Sequence, residues 1–107
     1  MSRQVRYVVL HHTGVAEPHF DFMLATDDTG PLLTWRLSRW PMEVGDVALP
    51  LPAHRRAYLD YEGPVSGNRG QVKRVAAGTA DCVEQDSRVV VVRLDERTAL
   101  RLPRTAQ

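Results

Sequence analysis

Only one cysteine, Cys82, stands in the 107 residues. That excludes an intramolecular disulfide and a cysteine-rich zinc site. Cys82 is expected on a strand, partly buried, in a reducing cytoplasm. Lysine is almost as scarce, for Lys73 is the only one among 14 basic residues. Nearly all the positive charge is therefore guanidinium, whose planar fork suits phosphate. An excess of one sign is missing too: the net charge is +1. The chain as a whole is no polycation, so a nucleic-acid role requires charge gathered on one face. Long apolar runs are absent, and Val89 to Val92 is far too short to span a bilayer. No apolar stretch follows the opening Met-Ser-Arg-Gln-Val-Arg, so no signal peptide and no membrane partner are expected. No amphipathic helix, repeat, linker or low-complexity segment is evident.

What remains is an ordinary globular composition, 43% hydrophobic and 25% charged. The length suits a single domain over residues 1–107, with a core from about 5 to 102. The dominant apolar period is two. Gln4 to Leu10, His19 to Ala25 and Leu32 to Leu37 are predicted strands, the last two joined as a hairpin across Asp27-Asp28-Thr29-Gly30. In the second of them Phe20, Phe22 and Leu24 face one way and His19, Asp21 and Met23 the other. Pro41, Gly45, Pro50 and Pro52 make residues 38–53 a loop with at most a short edge strand. A short ordered segment is expected around Arg55 to Tyr61, then a turn-rich loop marked by Gly63-Pro64, Gly67-Asn68 and Gly70. Gln71 to Ala76, Thr79 to Glu84 and Ser87 to Leu94 are further strands, with Ala99 to Leu102 closing the sheet. Val89 to Val92 lacks alternation and is expected to be buried on both faces. Thr105 to Gln107 are expected to fray. The pattern implies an all-β fold, a compact β-barrel of about seven to eight short strands with long turn-rich loops.

All four histidines lie in the first 54 residues. His19 and Asp21 leave the same face of their strand with bases about 6.6 Å apart, a spacing that lets both grip one ion. A turn can bring His12 to the same spot. Two histidines and one aspartate leave open positions on a divalent ion, as catalytic sites require. The mixed N and O donors suit Mn²⁺, Zn²⁺ or Fe²⁺ rather than Ca²⁺. The same donor set is the facial triad of non-heme iron oxygenases, and composition alone does not separate them. His11 should face away from His12 and is read as structural or incidental. His54 and Tyr58, four apart, share a face on either a helical turn or a strand. With Arg55 and Arg56 beside them, they form a candidate anion contact.

Tyr7-Val8-Val9 followed by His12, then His19-Phe20-Asp21-Phe22, resembles the start of the 3'-phosphoesterase domain of bacterial DNA ligase D. Leu33-Thr34-Trp35-Arg36-Leu37 resembles that family's Trp-bearing strand, with Arg39 and Pro41 near its basic residue and proline. His54 and Tyr58 match its His-x-x-x-Tyr, and Asp60-Tyr61-Glu62-Gly63 the signature after it. The similarity runs from about Val5 to Leu102. It implies a compact β-barrel that heals DNA 3' ends, removing a 3'-ribonucleoside and then the 3'-phosphate in non-homologous end joining. The resemblance implies that His12, His19 and Asp21 bind the metal, Mn²⁺ above Zn²⁺ or another transition metal. It implies that His54 and Tyr58 contact the phosphate, with Arg39 adding charge and Glu62 supporting a loop. Nucleic-acid 3' ends and DNA-repair proteins are the partners it suggests.

Met23 stands where the family carries an arginine facing the phosphate, and a thioether cannot pair with an anion. Arg36, on the adjacent strand, is the expected substitute. The loop between His12 and His19 is one residue longer than in the family, and Asp46 falls in a stretch that is usually basic there. No polymerase or ligase segment accompanies the domain, so a standalone member is expected. Two readings follow: a metal-dependent phosphoesterase, or a non-catalytic barrel that binds nucleic-acid ends or a repair partner. The retained His12, His19, Asp21, His54 and Tyr58 favour the enzyme; Met23 favours the binding module. An iron oxygenase fits poorly, because such enzymes need a larger double-stranded core.

Overall fold

A computed structural model describes residues 3–43 and 45–104; the fraying expected of Thr105 to Gln107 lies outside them. Eight strands form one antiparallel sheet: β1 (Arg3–Thr13), β2 (His19–Ala25), β3 (Leu32–Leu37), β4 (Leu49–His54), β5 (Gly63–Pro64), β6 (Gln71–Gln85), β7 (Val89–Arg93) and β8 (Ala99–Pro103). A single 3₁₀ turn, Arg56–Leu59, is the only helical segment among the described residues. The strand order is β4-β3-β2-β1-β6-β7-β8, with β5 pairing the start of β6. The sheet curls into a half-barrel, as the all-β pattern predicted. Across its open seam the Trp35 indole N–H of β3 donates to the Pro103 carbonyl of β8 at 2.6 Å.

The curl creates two cores, because alternate residues of β1 and β2 leave opposite faces. On the concave face Val5, Val9, Phe22, Leu24, Trp35, Leu37, Val90, Val92 and Leu102 pack together. On the other face Val8, Leu10, Met23 and Leu32 pack under Leu59 of the 3₁₀ turn and Val72, with Tyr58 and Val65 against them. A fully buried Leu, Phe or Met contributes roughly 1.5–3 kcal/mol of transfer free energy. The segment spanning residues 55–70 therefore has its own reason to lie on the sheet. That segment also walls the space above Asp21 of β2 through Tyr58, Val65, Ser66 and Arg69.

Three elements differ from the sequence expectation. β1 runs on through His11 and His12 to Thr13 rather than stopping at Leu10. The segments predicted as two strands, Gln71–Ala76 and Thr79–Glu84, are one continuous strand. Gly78 does not break it. It pairs with Tyr7 and lies against the Tyr7 ring, where a Cβ would meet it at an ordinary contact distance of 3.4 Å, so this glycine sits within a regular strand and not at a turn. Val89, Val90 and Val92 are buried, but Val91 is only half-buried, so the second face of β7 is covered in part. The edge strand expected before His54 is present as β4, where Pro50 and Pro52 are tolerated.

Candidate metal centre and its cavity

The extension of β1 positions the site. Antiparallel register pairs His11 with Phe20 and His12 with His19. His11 stacks on Phe20 with ring centroids 4.4 Å apart, which turns it away from His12 as its alternation requires. His12 and His19 share the other face, their rings 4.9 Å apart and edge-on. Asp21 follows two residues after His19 on that face and pairs across the sheet with Arg36.

Backbone carbonyls settle which ring nitrogens carry protons. His12 Nε2 lies 2.7 Å from the Arg69 carbonyl oxygen, and His19 Nδ1 lies 2.9 Å from that of Glu17. A carbonyl only accepts, so each of those nitrogens donates. In the neutral rings, His12 Nδ1 and His19 Nε2 then carry lone pairs, and both face Asp21. His19 Nε2 is 3.4 Å from Asp21 Oδ1, and His12 Nδ1 is 3.8 Å from Oδ2. Asp21 Oδ1 is fully buried and accepts no hydrogen bond among the described residues.

Three electron-pair donors therefore converge with no donor between them. Burying a carboxylate oxygen in that state costs free energy of several kcal/mol unless a cation offsets it. The three ligand atoms lie within 4.8 Å of one another. Donors at about 2.0–2.2 Å from one ion are roughly 3.0–3.5 Å apart at right to tetrahedral angles. The shorter of the two separations falls in that range, and small side-chain rotations close the rest. The distal ring nitrogens held by carbonyls are the usual outer support of metal-binding histidines. The residues present thus fit a divalent ion of the transition series.

A cavity of about 670 Å³ opens over this cluster, and His12, Asp21, Arg36, His54, Tyr58 and Arg69 lie on its wall. β4 ends at His54, and the 3₁₀ turn places Tyr58 beside it with ring centroids 6.1 Å apart. His54 Nδ1 donates to the Pro52 carbonyl at 2.9 Å, which leaves Nε2 as its second functional atom. Arg55 lies over the Tyr58 ring, 5.9 Å from the centroid, and also lines the cavity. Arg56 turns away to Asp27 and the carbonyl of Gly30. Met23 is buried, packed in the second core beneath the cavity. Arg36 is exposed directly across from Asp21 and lines the same cavity as Met23.

Arg39 is the one expected site residue brought neither to the His–His–Asp cluster nor to this cavity. Its Nε and Nη2 donate to Asp46 at 2.7 and 2.8 Å, and its Nη1 lies 2.7 Å from Glu43. The Arg39 hydrogen bond, helped by the Glu43 amide, holds the Asp46 carboxyl down at about 2, and Asp46 in turn raises the guanidinium. Three of its five N–H donors, and its charge, are engaged by two carboxylates away from the cavity. Asp46, the acidic residue in a stretch where basic ones were expected, is the cause.

Arg69 is the residue that sequence reasoning passed over. Its signal was present, an arginine inside Gly67-Asn68-Arg69-Gly70. Its Nε donates to the Ser66 carbonyl at 2.7 Å and its Nη2 to Ser66 Oγ at 3.3 Å, neutral acceptors that leave the charge uncompensated. Glu62 supports this loop as expected: its carboxylate accepts the Arg74 amide at 2.7 Å, one rung beyond the short β5–β6 ladder.

Fold and site together define an all-β domain with a candidate His–His–Asp metal centre. No protein-family model matches the chain, and no curated protein does either.

Proposed function

We propose that this domain is a divalent-metal-dependent phosphoesterase acting on nucleic-acid 3' ends, as its resemblance to the ligase D 3'-phosphoesterase domain implies. One observation carries the reading. A buried carboxylate oxygen without a donor faces two ring-nitrogen lone pairs at the floor of a cavity walled by guanidinium, imidazole and phenol. That combination suits an anionic ester whose charge rises in the transition state. Mn²⁺ is the ion that the resemblance favours, with Zn²⁺ or another transition metal compatible with the same donors.

When bound, such an ion polarises a phosphoryl oxygen and acidifies water. His12, His19 and Asp21 are the residues that would hold it. Arg36 and Tyr58 supply donors for the non-bridging oxygens. Hydrolysis forms one bond from water oxygen to phosphorus and breaks the ester P–O bond; the attacking water releases a proton to solvent, and the departing oxygen takes one up. In this reading His54, protonated at Nε2, gives it. The Pro52 carbonyl on Nδ1 keeps the ring oriented in both protonation states. End healing in a cytoplasmic DNA-repair setting, with repair proteins as partners, belongs to the same proposal.

The test is Mn²⁺-dependent turnover on a duplex primer ending in a 3'-ribonucleotide or 3'-phosphate, with His19→Ala as control. Turnover that disappears in the control supports the enzyme. A second reading, a non-catalytic module that binds nucleic-acid ends or a repair partner, is favoured by Met23. It expects metal and nucleic acid bound by the wild type with no turnover.

A further inference from the structure

The cluster does not sit at the end of one cavity. A second concavity of about 560 Å³ lies on the side of the loop between β1 and β2, bordered by Gly14 to Glu17, His19 and Asn68. The two concavities share His12, Arg36 and Arg69. A groove therefore passes the metal centre on both sides, and these two guanidiniums stand at the junction. Each arm falls within the roughly 300–1,000 Å³ of small-ligand pockets.

Charge along the groove is uneven. Arg6, Arg39 and Arg56 are each paired with a carboxylate. Arg36, Arg55 and Arg69 have no carboxylate within ion-pair distance among the described residues, and all three line the first arm. A chain with a net charge of only +1 thus gathers three uncompensated guanidiniums in one groove. The first arm also carries the aromatic rings of His54 and Tyr58, faces on which a base can stack. The second arm carries Glu17, its single carboxylate, beside the shared arginines. It suits a sugar and base flanking a phosphate rather than a further phosphate.

We propose that Arg36 and Arg69 clamp one phosphate at the junction while the two arms take the nucleosides on either side of it. The ligand class is then a phosphodiester chain of at least a dinucleotide, not an isolated phosphate monoester. This rests on the phosphate reading above and narrows it. Arg69 acts through its side chain on the ligand and through its backbone carbonyl on His12, two roles that substitution separates.

The test is a binding measurement that needs no turnover. Fluorescence anisotropy follows a 5'-labelled, single-stranded oligodeoxynucleotide in EDTA as salt is varied. Unlabelled thymidylyl-(3'→5')-thymidine and thymidine 3'-monophosphate serve as competitors. Arg36→Gln and Arg69→Gln are each expected to weaken binding about tenfold, the equivalent of roughly 1.4 kcal/mol. Each should also reduce the slope of log affinity against log salt by about 0.7. Arg36→Lys and Arg69→Lys should keep the slope, and Arg88→Gln, in the β6–β7 turn, should change nothing. The dinucleotide should displace the probe at about one-tenth the concentration of the monophosphate. Wild-type affinity and slope in both Gln variants, or equal displacement by the two competitors, overturns the clamp. Binding that behaves as expected without turnover under Mn²⁺ sinks the hydrolase reading and leaves the clamp standing. Turnover of a 3'-phosphorylated end that is indifferent to Arg69→Gln does the reverse.

Discussion

The imidazole of His12 and the backbone carbonyl of Arg69, 57 residues apart in the chain, are joined by a 2.7 Å hydrogen bond. That bond decides which nitrogen of His12 faces Asp21. The carbonyl is aimed by Gly70, whose φ is +75°, and Gly70 lies against Gly14 and Thr13 at the end of β1. The two glycine turns lock the loop over the strand that carries the histidine.

Gly70→Ala should break this lock. A Cβ there would run into the Thr13 carbonyl oxygen and the Gly14 backbone, and its positive φ disfavours any L side chain. The backbone cost is of order 1–3 kcal/mol. Metal affinity should fall about 10–100-fold, as for other losses of outer support. Titration calorimetry with Mn²⁺ checks this, with circular dichroism confirming that the sheet persists. Undiminished affinity would mean that the Arg69 carbonyl does not orient His12.

Asp21→Asn should have opposite effects with and without metal. In metal-free protein the amide supplies a donor toward His19 Nε2 and removes an unpartnered charge, so thermal stability should rise by about 1–3 kcal/mol. Wild-type protein should gain about 2.7 kcal/mol from Mn²⁺ at a hundredfold excess over Kd, and the variant nothing. Melting curves in EDTA and in Mn²⁺ read both. A metal-free variant less stable than wild type would show that the carboxylate is satisfied without a cation.

Arg36 and Arg39 should behave differently despite their closeness in sequence. Arg36→Ala removes an uncompensated guanidinium across from Asp21, and turnover should drop about 10²–10³-fold with Mn²⁺ binding retained. Arg39→Ala should leave turnover near wild type, since its charge is compensated by Asp46 and Glu43 away from the cavity. Steady-state kinetics on the two variants separates them; the reverse ranking would restore Arg39 to the site.

Acid should loosen the loop around Asp46. Its carboxyl falls from an ordinary 3.8 to about 2 in the folded protein, chiefly through Arg39. A lowered carboxylate contributes stability that is fully present above the unfolded value and lost as pH falls through the folded one. The loss should therefore span about pH 4 to 2. Asp86 and Asp95 are lowered too, by amides of Arg88 and Arg97 first, so Asp46→Asn should reduce the acid slope without abolishing it. Denaturation curves between pH 5 and 2 test the sign. A variant that keeps the full wild-type slope would remove Asp46 from the account.

Much of the sheet was legible because period-two alternation reports directly on which face is buried. β2 and β3 begin and end where the pattern of Phe20, Phe22 and Leu24, and of Leu32 to Leu37, places them. The sequence divides β6 into two strands because Gly78 looks the same in a string whether it marks a turn or lies inside a continuous strand opposite Tyr7. The His12, His19 and Asp21 set was visible as residue types at a strand spacing. Its actual geometry comes from pairing His12 opposite His19, which needs β1 to continue three residues beyond its apolar pattern.

The sequence by itself determined the all-β class, the facing of His19 with Asp21, and the lack of an arginine at Met23. These are local properties, set by side-chain alternation and by residue identity. Only the tertiary structure decided that Arg39 is spent on Asp46, that Arg36 and Arg69 share one groove, and that two carbonyls turn the histidine lone pairs inward. Those outcomes depend on hydrogen-bond partners and on a curl that brings distant loops over the same strand, and neither is encoded in spacing along the chain.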